Sequence, residues 1–359
     1  MRADFSEVFE DVTKLGHKIP KENYLEEGKY PIIDQGQTYI AGYSNNSEGL
    51  YSDVPAIIFG DHTRIIKYVE MPCFLGADGV KLLHVKDKDN DVKYLYYALC
   101  NARIPDTGYN RHFKWLKEIT IPLPPLPEQR RIAAVLDKVS ELIALRKRQL
   151  DLLDEMVKAR FVEMFGDISE SEFCSIYDVC NLITDGTHNP PRFVENGIPF
   201  LLVSNIRENR ITYDTQKFIT PETYDQLMKR TPIEKGDILL STVGSYGHPA
   251  IVISDKKFSF QRHIALLKPN QDKINSVFFH SAILSNEVQR QIGSLVLGVA
   301  QKTLNLSAIK TLRIPLPHIS DQSQFADFVQ QVDKSKATVQ QGLDRLNLLK
   351  SALMQEYFG

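Results

Sequence analysis

The tripeptide Asn189-Pro190-Pro191 is the first feature that could do chemistry, because adenine-methylating enzymes use Asn-Pro-Pro followed by an aromatic residue. Here Arg192 follows, Phe193 comes one place late, and no strand with a glycine-rich loop for a nucleotide cofactor precedes it. The segment reads as a loop before a strand. Asp91-Val92-Lys93 and Asp255-Lys256-Lys257 have the acid-x-Lys form of a metal-dependent nuclease. The required upstream Pro-Asp is missing, since Pro105-Asp106 follows the first triplet and lies far before the second, so both read as solvated charges. There is no GxxxxGK[ST] phosphate loop, which excludes ATP chemistry in this chain. The nine histidines never approach HExxH spacing, and neither a catalytic centre nor a metal site is expected.

Composition narrows the class. The 359 residues include 43 Lys plus Arg and 45 Asp plus Glu, a net charge of −2 that excludes a uniformly basic nucleic-acid binder. At 43% apolar and 25% charged residues, with no run of 18 apolar ones, the chain reads as soluble and without a membrane span. The start, MRADFSEVFEDV, lacks a signal peptide's apolar region. Cys73, Cys100, Cys174 and Cys180 form no CxxC pair, so a reducing cytoplasm is the expected compartment.

An internal repeat organises the elements. Residues 121–166 and 314–359 align without a gap at an offset of 193, with 15 identities in 46 positions. The chain then divides into 1–120, a globular segment; 121–166, a Pro-rich approach and long helix; 167–313, a second globular segment; and 314–359, the second copy of the helical element. Weaker echoes pair Asp11-Val12 with Asp178-Val179, Tyr30-Pro31-Ile32 with Ile198-Pro199-Phe200, and Val80-Lys81-Leu82-Leu83 with Ile264-Ala265-Leu266-Leu267.

Pro122, Pro124, Pro125 and Pro127 place the first helix start near Glu128; Pro315 and Pro317 act likewise in the second copy, with Ser320 as its N-cap. Apolar residues then recur in three- and four-residue steps: Leu136, Val139, Ile143, Leu150, Leu153, Val157 and Met164, against Val329, Val332, Val339, Leu343, Leu346, Leu353 and Tyr357. This is a heptad seam. Arg146, Arg160, Lys336 and Lys350 interrupt it, and their long stems are expected to cover the seam while the charges reach water. A compact second globule leaving one helix end and returning to the start of the next makes the helices antiparallel. About 38 helical residues at ~1.5 Å each give a rod of roughly 55 Å, a calliper with a globule at each end. Runs such as Ala56-Ile57-Ile58-Phe59, Arg64–Val69, Gly236–Leu240 and Ala250–Ile253, punctuated by Gly, Asn, Asp and Pro, make both globules β-rich. Short helices are expected at Tyr94–Asn101 and Val277–Ile292.

IPLPPLPEQRRIAAVLD, the Leu/Lys/Arg-rich helix and the closing FG resemble the central conserved region of type I restriction–modification specificity subunits. The second copy resembles their carboxy-terminal conserved region. Asp185-Gly186-Thr187-His188-Asn189-Pro190-Pro191 and Gly197-Ile198-Pro199-Phe200-Leu201 resemble the opening of a target recognition domain. Gly108-Tyr109-Asn110-Arg111-His112-Phe113 and Gly298-Val299-Ala300-Gln301-Lys302 resemble the stretch before each conserved helix. The resemblance implies an α+β fold with a pseudo-two-fold internal repeat: two β-rich recognition domains separated by two long helices in an antiparallel coiled coil. It implies a non-catalytic subunit that reads a bipartite double-stranded DNA target, one half per domain, with the helices setting the spacer and docking two methylation subunits. S-adenosylmethionine, ATP and Mg²⁺ would then sit on partner subunits, the last two on motor-nuclease subunits. The competing reading is a coiled-coil scaffold presenting two protein-binding β-rich domains.

Neither globule is cationic overall, with 15 basic and 18 acidic residues in 1–120 and 16 and 15 in 167–313, so DNA contact must come from clustered loop residues. The candidates in the first are Gln35, Gln37, Thr38, Tyr43, His62, Arg64, Asn110, Arg111 and His112. In the second they are Thr187, His188, Arg192, Ser241, Thr242, Ser245, Tyr246, Gln261, Arg262, His263, Gln301 and Lys302. Arg matches guanine, Gln or Asn matches adenine, and hydroxyls and amides fix phosphates.

Overall fold

The computed structural model describes residues 2–76, 78–108, 110–169, 172–296, 298 and 302–359. The chain forms two compact units, Met1–Arg148 with Gln340–Gly359, and Gln149–Val339. Each long helix, Leu126–Phe165 and Ile319–Phe358, contributes to both.

The first unit is centred on an antiparallel sheet in the order Phe9–Asp11, Val80–Val85, Ala56–Gly60, Ile66–Val69. Its strand Ala56–Gly60 is apolar and buried without a break because both faces are covered. Ile57, Phe59, Leu83 and Val85 pack toward the helices with Tyr94, Leu95 and Leu99 of Val92–Cys100. Ile58, Val80 and Leu82 face the other way, against Ile33 and Leu75 of a second sheet ordered Lys18–Ile19, Phe74–Gly76, Tyr30–Ile33, Gly42–Ser44.

The second unit repeats this frame. Its main sheet runs Cys180–Asp185, Ile264–Pro269, Ile238–Ser241, Pro249–Ile251, again antiparallel. Ile238, Leu240, Ala265 and Leu267 face Phe278 and Phe279 of the helix Ser276–Leu284, while Leu239, Ile264 and Leu266 face Leu201 and Phe260. The sequence echoes locate matching strands: Val80 and Ile264 both open the central strand, and Tyr30–Ile33 and Ile198–Leu201 each run parallel to a later short strand. One echo is corrected. Asp178-Val179 corresponds to Glu7-Val8, not to Asp11-Val12, because both pairs sit in one-turn helices with reciprocal caps, Asp4 with Glu7 and Ser175 with Asp178. The helix expected over Val277–Ile292 is two, Ser276–Leu284 and Asn286–Leu295, because Ser285 is extended and caps the second.

The long helices start earlier than the prolines suggest. Leu126 opens the first with Pro127 in its first turn, where a missing N–H costs nothing, and the Pro125 carbonyl accepts from Glu128 and Gln129 N–H at 2.8 and 3.1 Å. His318 occupies the same place in the second copy, accepting from Asp321 and Gln322, so Ser320 lies inside the helix and is not its N-cap.

In both units the helices pair antiparallel. In the first, Ile132, Ala133 and Leu136 near the start of one helix share a core with Leu353, Met354, Tyr357 and Phe358 at the end of the other. In the second, Val157, Phe161, Met164 and Phe165 meet Phe325 and Val329. Leu136, Val139, Ile143, Val332, Val339 and Leu343 are buried and Leu150, Leu153, Val157, Val329, Leu346 and Leu353 half-buried, so the whole expected seam faces inward. The interruptions behave as stems: Arg160 pairs with Glu163 at 2.8 Å, Lys336 with Asp154, and the Lys350 ammonium lies 5.8 Å from the Tyr97 ring centre. Arg146 is exposed and passes over Gly342.

A buried glutamine fastens each helix to its unit. Gln129 Oε1 accepts from Asp91 N–H at 2.9 Å while Nε2 donates to Asn90 and to the Pro124 carbonyl, both at 2.9 Å. Gln322, at the repeat offset of 193, accepts from Asn275 N–H at 2.9 Å and donates to the Lys273 and Pro317 carbonyls at 3.2 and 2.8 Å. Asp91 and Asn275 are the N-caps of the two matching helices.

Candidate nucleic-acid interface

Most candidates of the second unit, and Gln35, His62 and His112 of the first, gather on one edge of the main sheet, where an outer strand ends and the central hairpins turn. In the second unit this edge is knit by the backbone. Gly186 N–H donates to Ile264 O at 3.2 Å, Thr187 N–H to Phe260 O at 3.2 Å, and Arg262 N–H to Thr187 O at 3.1 Å. Thr242 N–H donates to His263 O at 3.0 Å, Leu304 N–H to Thr242 O at 2.8 Å, and Gly244 N–H to Lys302 O at 3.3 Å. Four loops therefore bring Thr187, His188, Ser241, Thr242, Ser245, Tyr246, Gln261, Arg262, His263 and Lys302 together.

Their exposures differ. His188, Arg192, Ser245, Arg262 and Lys302 are exposed, and Thr187, Tyr246, Gln261 and His263 half-buried. Ser241 and Thr242 were expected at the surface but are buried, Ser241 at the end of the strand and Thr242 just beyond it; Ser241 Oγ accepts from His248 N–H at 3.0 Å, so its hydroxyl braces the hairpin. Burial and the adjoining Arg262 hold His263 below an ordinary histidine, so its ring is neutral at pH 7. Gln301 lies outside the described residues.

The first unit builds its edge from other residues. Asp61 is buried in the turn after Ala56–Gly60; its N–H reaches Gly79 O at 2.6 Å and its carboxylate accepts from Phe113 N–H at 2.7 Å. His112, expected on the surface, is wholly buried. Its Nδ1–H donates to Asp61 O at 3.0 Å and its Nε2 accepts from the Thr107 hydroxyl at 3.3 Å, so the ring holds two loops together. Gln35 is a brace as well, with Oε1 accepting from His62 N–H and Nε2 donating to Asp78 O, both at 3.1 Å. Arg64 takes a left-handed backbone (φ +61°), strained for a residue with a side chain, and its guanidinium meets Asp106 at 2.7 Å. The Gly108 N–H and Arg64 hold the Asp106 carboxyl below the usual range.

Asn110 and Arg111 are exposed beside this cluster, in the loop leading to His112. Gln37 and Thr38 are exposed but belong to another loop, where the Thr38 carbonyl accepts from Lys67 at 2.6 Å. Tyr43 is half-buried on Gly42–Ser44, paired with Pro31 in the second sheet. Sequence reasoning missed Asp61, Asp106, Asp185 and Arg230. Asp185 had a signal in its Asp-Gly-Thr-His setting; Arg230 had none, because it arrives from a helix end 45 residues downstream.

Two β-rich domains on duplicated frames, each with a loop edge and a paired helical stem, define a duplicated architecture. The family described as the type I restriction modification DNA specificity domain matches residues 4–155 and again 168–348, and the chain belongs to it. A Methanocaldococcus jannaschii relative, the type I restriction enzyme MjaVIII specificity subunit, is 26% identical over 72% of this chain and 69% of its own length. The Escherichia coli EcoR124I/EcoR124II specificity subunit is 25% identical over 94% of this chain and 87% of its own. The crystal structure of a type I restriction-modification S subunit from M. genitalium shares the fold, with a TM-score of 0.61 at 18% identity over 100% of this chain and 96% of that one.

Proposed function

We propose that this chain is the DNA-reading subunit of a type I restriction–modification complex, in which each unit reads one half of a bipartite duplex sequence. The observation that carries this reading is the duplicated frame with unlike edges. Strand order, cap residues and the buried glutamine repeat, whereas the exposed loop side chains do not. That is the pattern expected when one scaffold serves two base sequences. Near-neutral units fit binding in which loop contacts supply specificity, with phosphate contacts set by local cations.

The helices carry the spacing and the docking. Beyond the inward seam they expose Leu142, Leu145, Leu152, Met156, Leu348 and Leu349, apolar residues available to the helices of methylation subunits. Bond chemistry is assigned to partners: methylation subunits supply S-adenosylmethionine, and motor-nuclease subunits supply ATP and Mg²⁺. No described helix is long and apolar enough to cross a membrane.

Sequencing the host methylome with and without this gene tests the reading. A methylated adenine motif of two short blocks around an unspecified spacer should vanish with the gene. Four residues inserted after Gln149 add ~6 Å of helix and should lengthen the spacer while sparing both blocks. Loss of the gene without change in any bipartite motif overturns the assignment.

A further inference from the structure

Asp185 ends the strand Cys180–Asp185, and its side chain is only 14% exposed. Two elements take its two oxygens. Oδ2 faces His188 Nε2 at 2.9 Å, and Oδ1 accepts from the guanidinium of Arg230, just beyond the helix Pro221–Met228. Both partners are more than half exposed, at 54% and 53%. A carboxylate sunk in the surface thus holds two side chains that project from it. The backbone under Arg230 is fixed too: Arg230 and Thr231 N–H both donate to Leu227 O at 3.1 Å, and the buried Thr231 hydroxyl reaches the same carbonyl at 3.0 Å. The following residues, Gly186 and Thr187, are bonded to Ile264, Phe260 and Arg262, so the assembly stands on the recognition edge.

The chemistry of this assembly suits a base better than a phosphate. The carboxylate offsets most of the guanidinium's charge, which weakens attraction to an anion. A base edge needs fixed donors and acceptors, not net charge. A carboxylate only accepts, so His188 Nε2 is the donor in this pair, and in the neutral tautomer that this bond selects Nδ1 is left as an acceptor. The Arg230 guanidinium has five donors, more than Asp185 consumes. Donors beside an acceptor complement a G·C pair in the major groove, where guanine O6 and N7 accept and cytosine N4 donates.

We propose that Asp185 is a positioning residue that presets Arg230 and His188 to read one G·C pair in the half-site of the second unit. The proposal rests on the DNA-reading function above. Its test uses the full chain with its methylation subunits, methylome sequencing, and a duplex carrying the sequence that the wild-type methylome defines. Asp185→Asn should make one G·C position of one half degenerate and leave the other half intact. Binding to the defined duplex should fall about ten- to a hundredfold, with binding to a scrambled duplex and its salt dependence unchanged. Arg230→Gln changes an exposed side chain and should relax the same position; it decides the matter if Asp185→Asn fails to fold. Full discrimination in the variants, or an equal loss on both duplexes, overturns the proposal while the wild-type motif still upholds the function. A wild-type complex that methylates no bipartite sequence overturns the function, and this proposal with it.

Discussion

The two loop edges sit on matching frames yet brace their arginines differently. In the second unit, Asp185 is largely buried and holds Arg230 and His188 from separate elements. In the first, Arg64 is bent into place by a left-handed turn, and its partner Asp106 is mostly exposed, 67% for the side chain. Below the edges the frames agree down to single contacts. Asp61 N–H to Gly79 O matches Thr242 N–H to His263 O, and His112 N–H to Asp61 O matches Leu304 N–H to Thr242 O. The lesson is that backbone bonds carry the shared geometry, while side chains at the rim are free to differ.

If the frames are equivalent, removing matched residues should damage one unit each. The largest effect is expected at the helix ends. Phe358 packs on Tyr94 with ring centres 5.2 Å apart, and Phe165 on Phe278 at 5.0 Å. Phe358→Ala should cost about 3–5 kcal/mol and open the first unit, and Phe165→Ala a similar amount in the second. Hydrogen exchange on the two central strands, Val80–Val85 and Ile264–Pro269, reads this out; equal loosening of both by either variant breaks the comparison.

A smaller effect is expected at the glutamines. Gln129→Ala leaves the Asp91 N–H and the Pro124 carbonyl without their partner and should cost about 1–3 kcal/mol in the first unit; Gln322→Ala should do the same in the second. Unit-resolved hydrogen exchange checks both, and a loss under a few tenths of a kcal/mol at either would show that these side chains are passengers.

The smallest effect is a pH dependence confined to the second unit. Burial holds His280 below its ordinary pKa, and its ring meets the Asn209 carbonyl at 3.3 Å. The unfolded chain therefore takes up a proton before the folded one, so this contribution is complete above pH 6.5 and declines as pH falls below it. Amides of Ser276–Leu284 should exchange faster relative to those of Val92–Cys100 between pH 7 and 5, after correction for intrinsic rates. His280→Gln should flatten that difference.

Much of the fold was legible because it depends on periodicity. The heptad seam and the 193-residue offset fixed both helices, and continuous apolar runs such as Ala56–Phe59 marked strands covered on both faces. Helix starts were misplaced because Pro127 is harmless in a first turn, and Ser320 lost its capping role to His318, whose carbonyl opens the helix. The edges were only partly legible. Loop residues chosen by type share a rim in the second unit, yet His112, Ser241 and Thr242 are buried, the first two bonded through their side chains to backbone groups. The braces Arg64 with Asp106 and Arg230 with Asp185 join residues 42 and 45 apart, a pairing that no local pattern encodes.

The two edges, on the function proposed above, read their half-sites independently. Replacing residues 1–120 with the corresponding domain of another specificity subunit, then sequencing the methylome, tests it most directly. One block of the motif should take a new sequence, with the other block unchanged. A change in both blocks together, from a subunit that still folds and supports methylation, would contradict it.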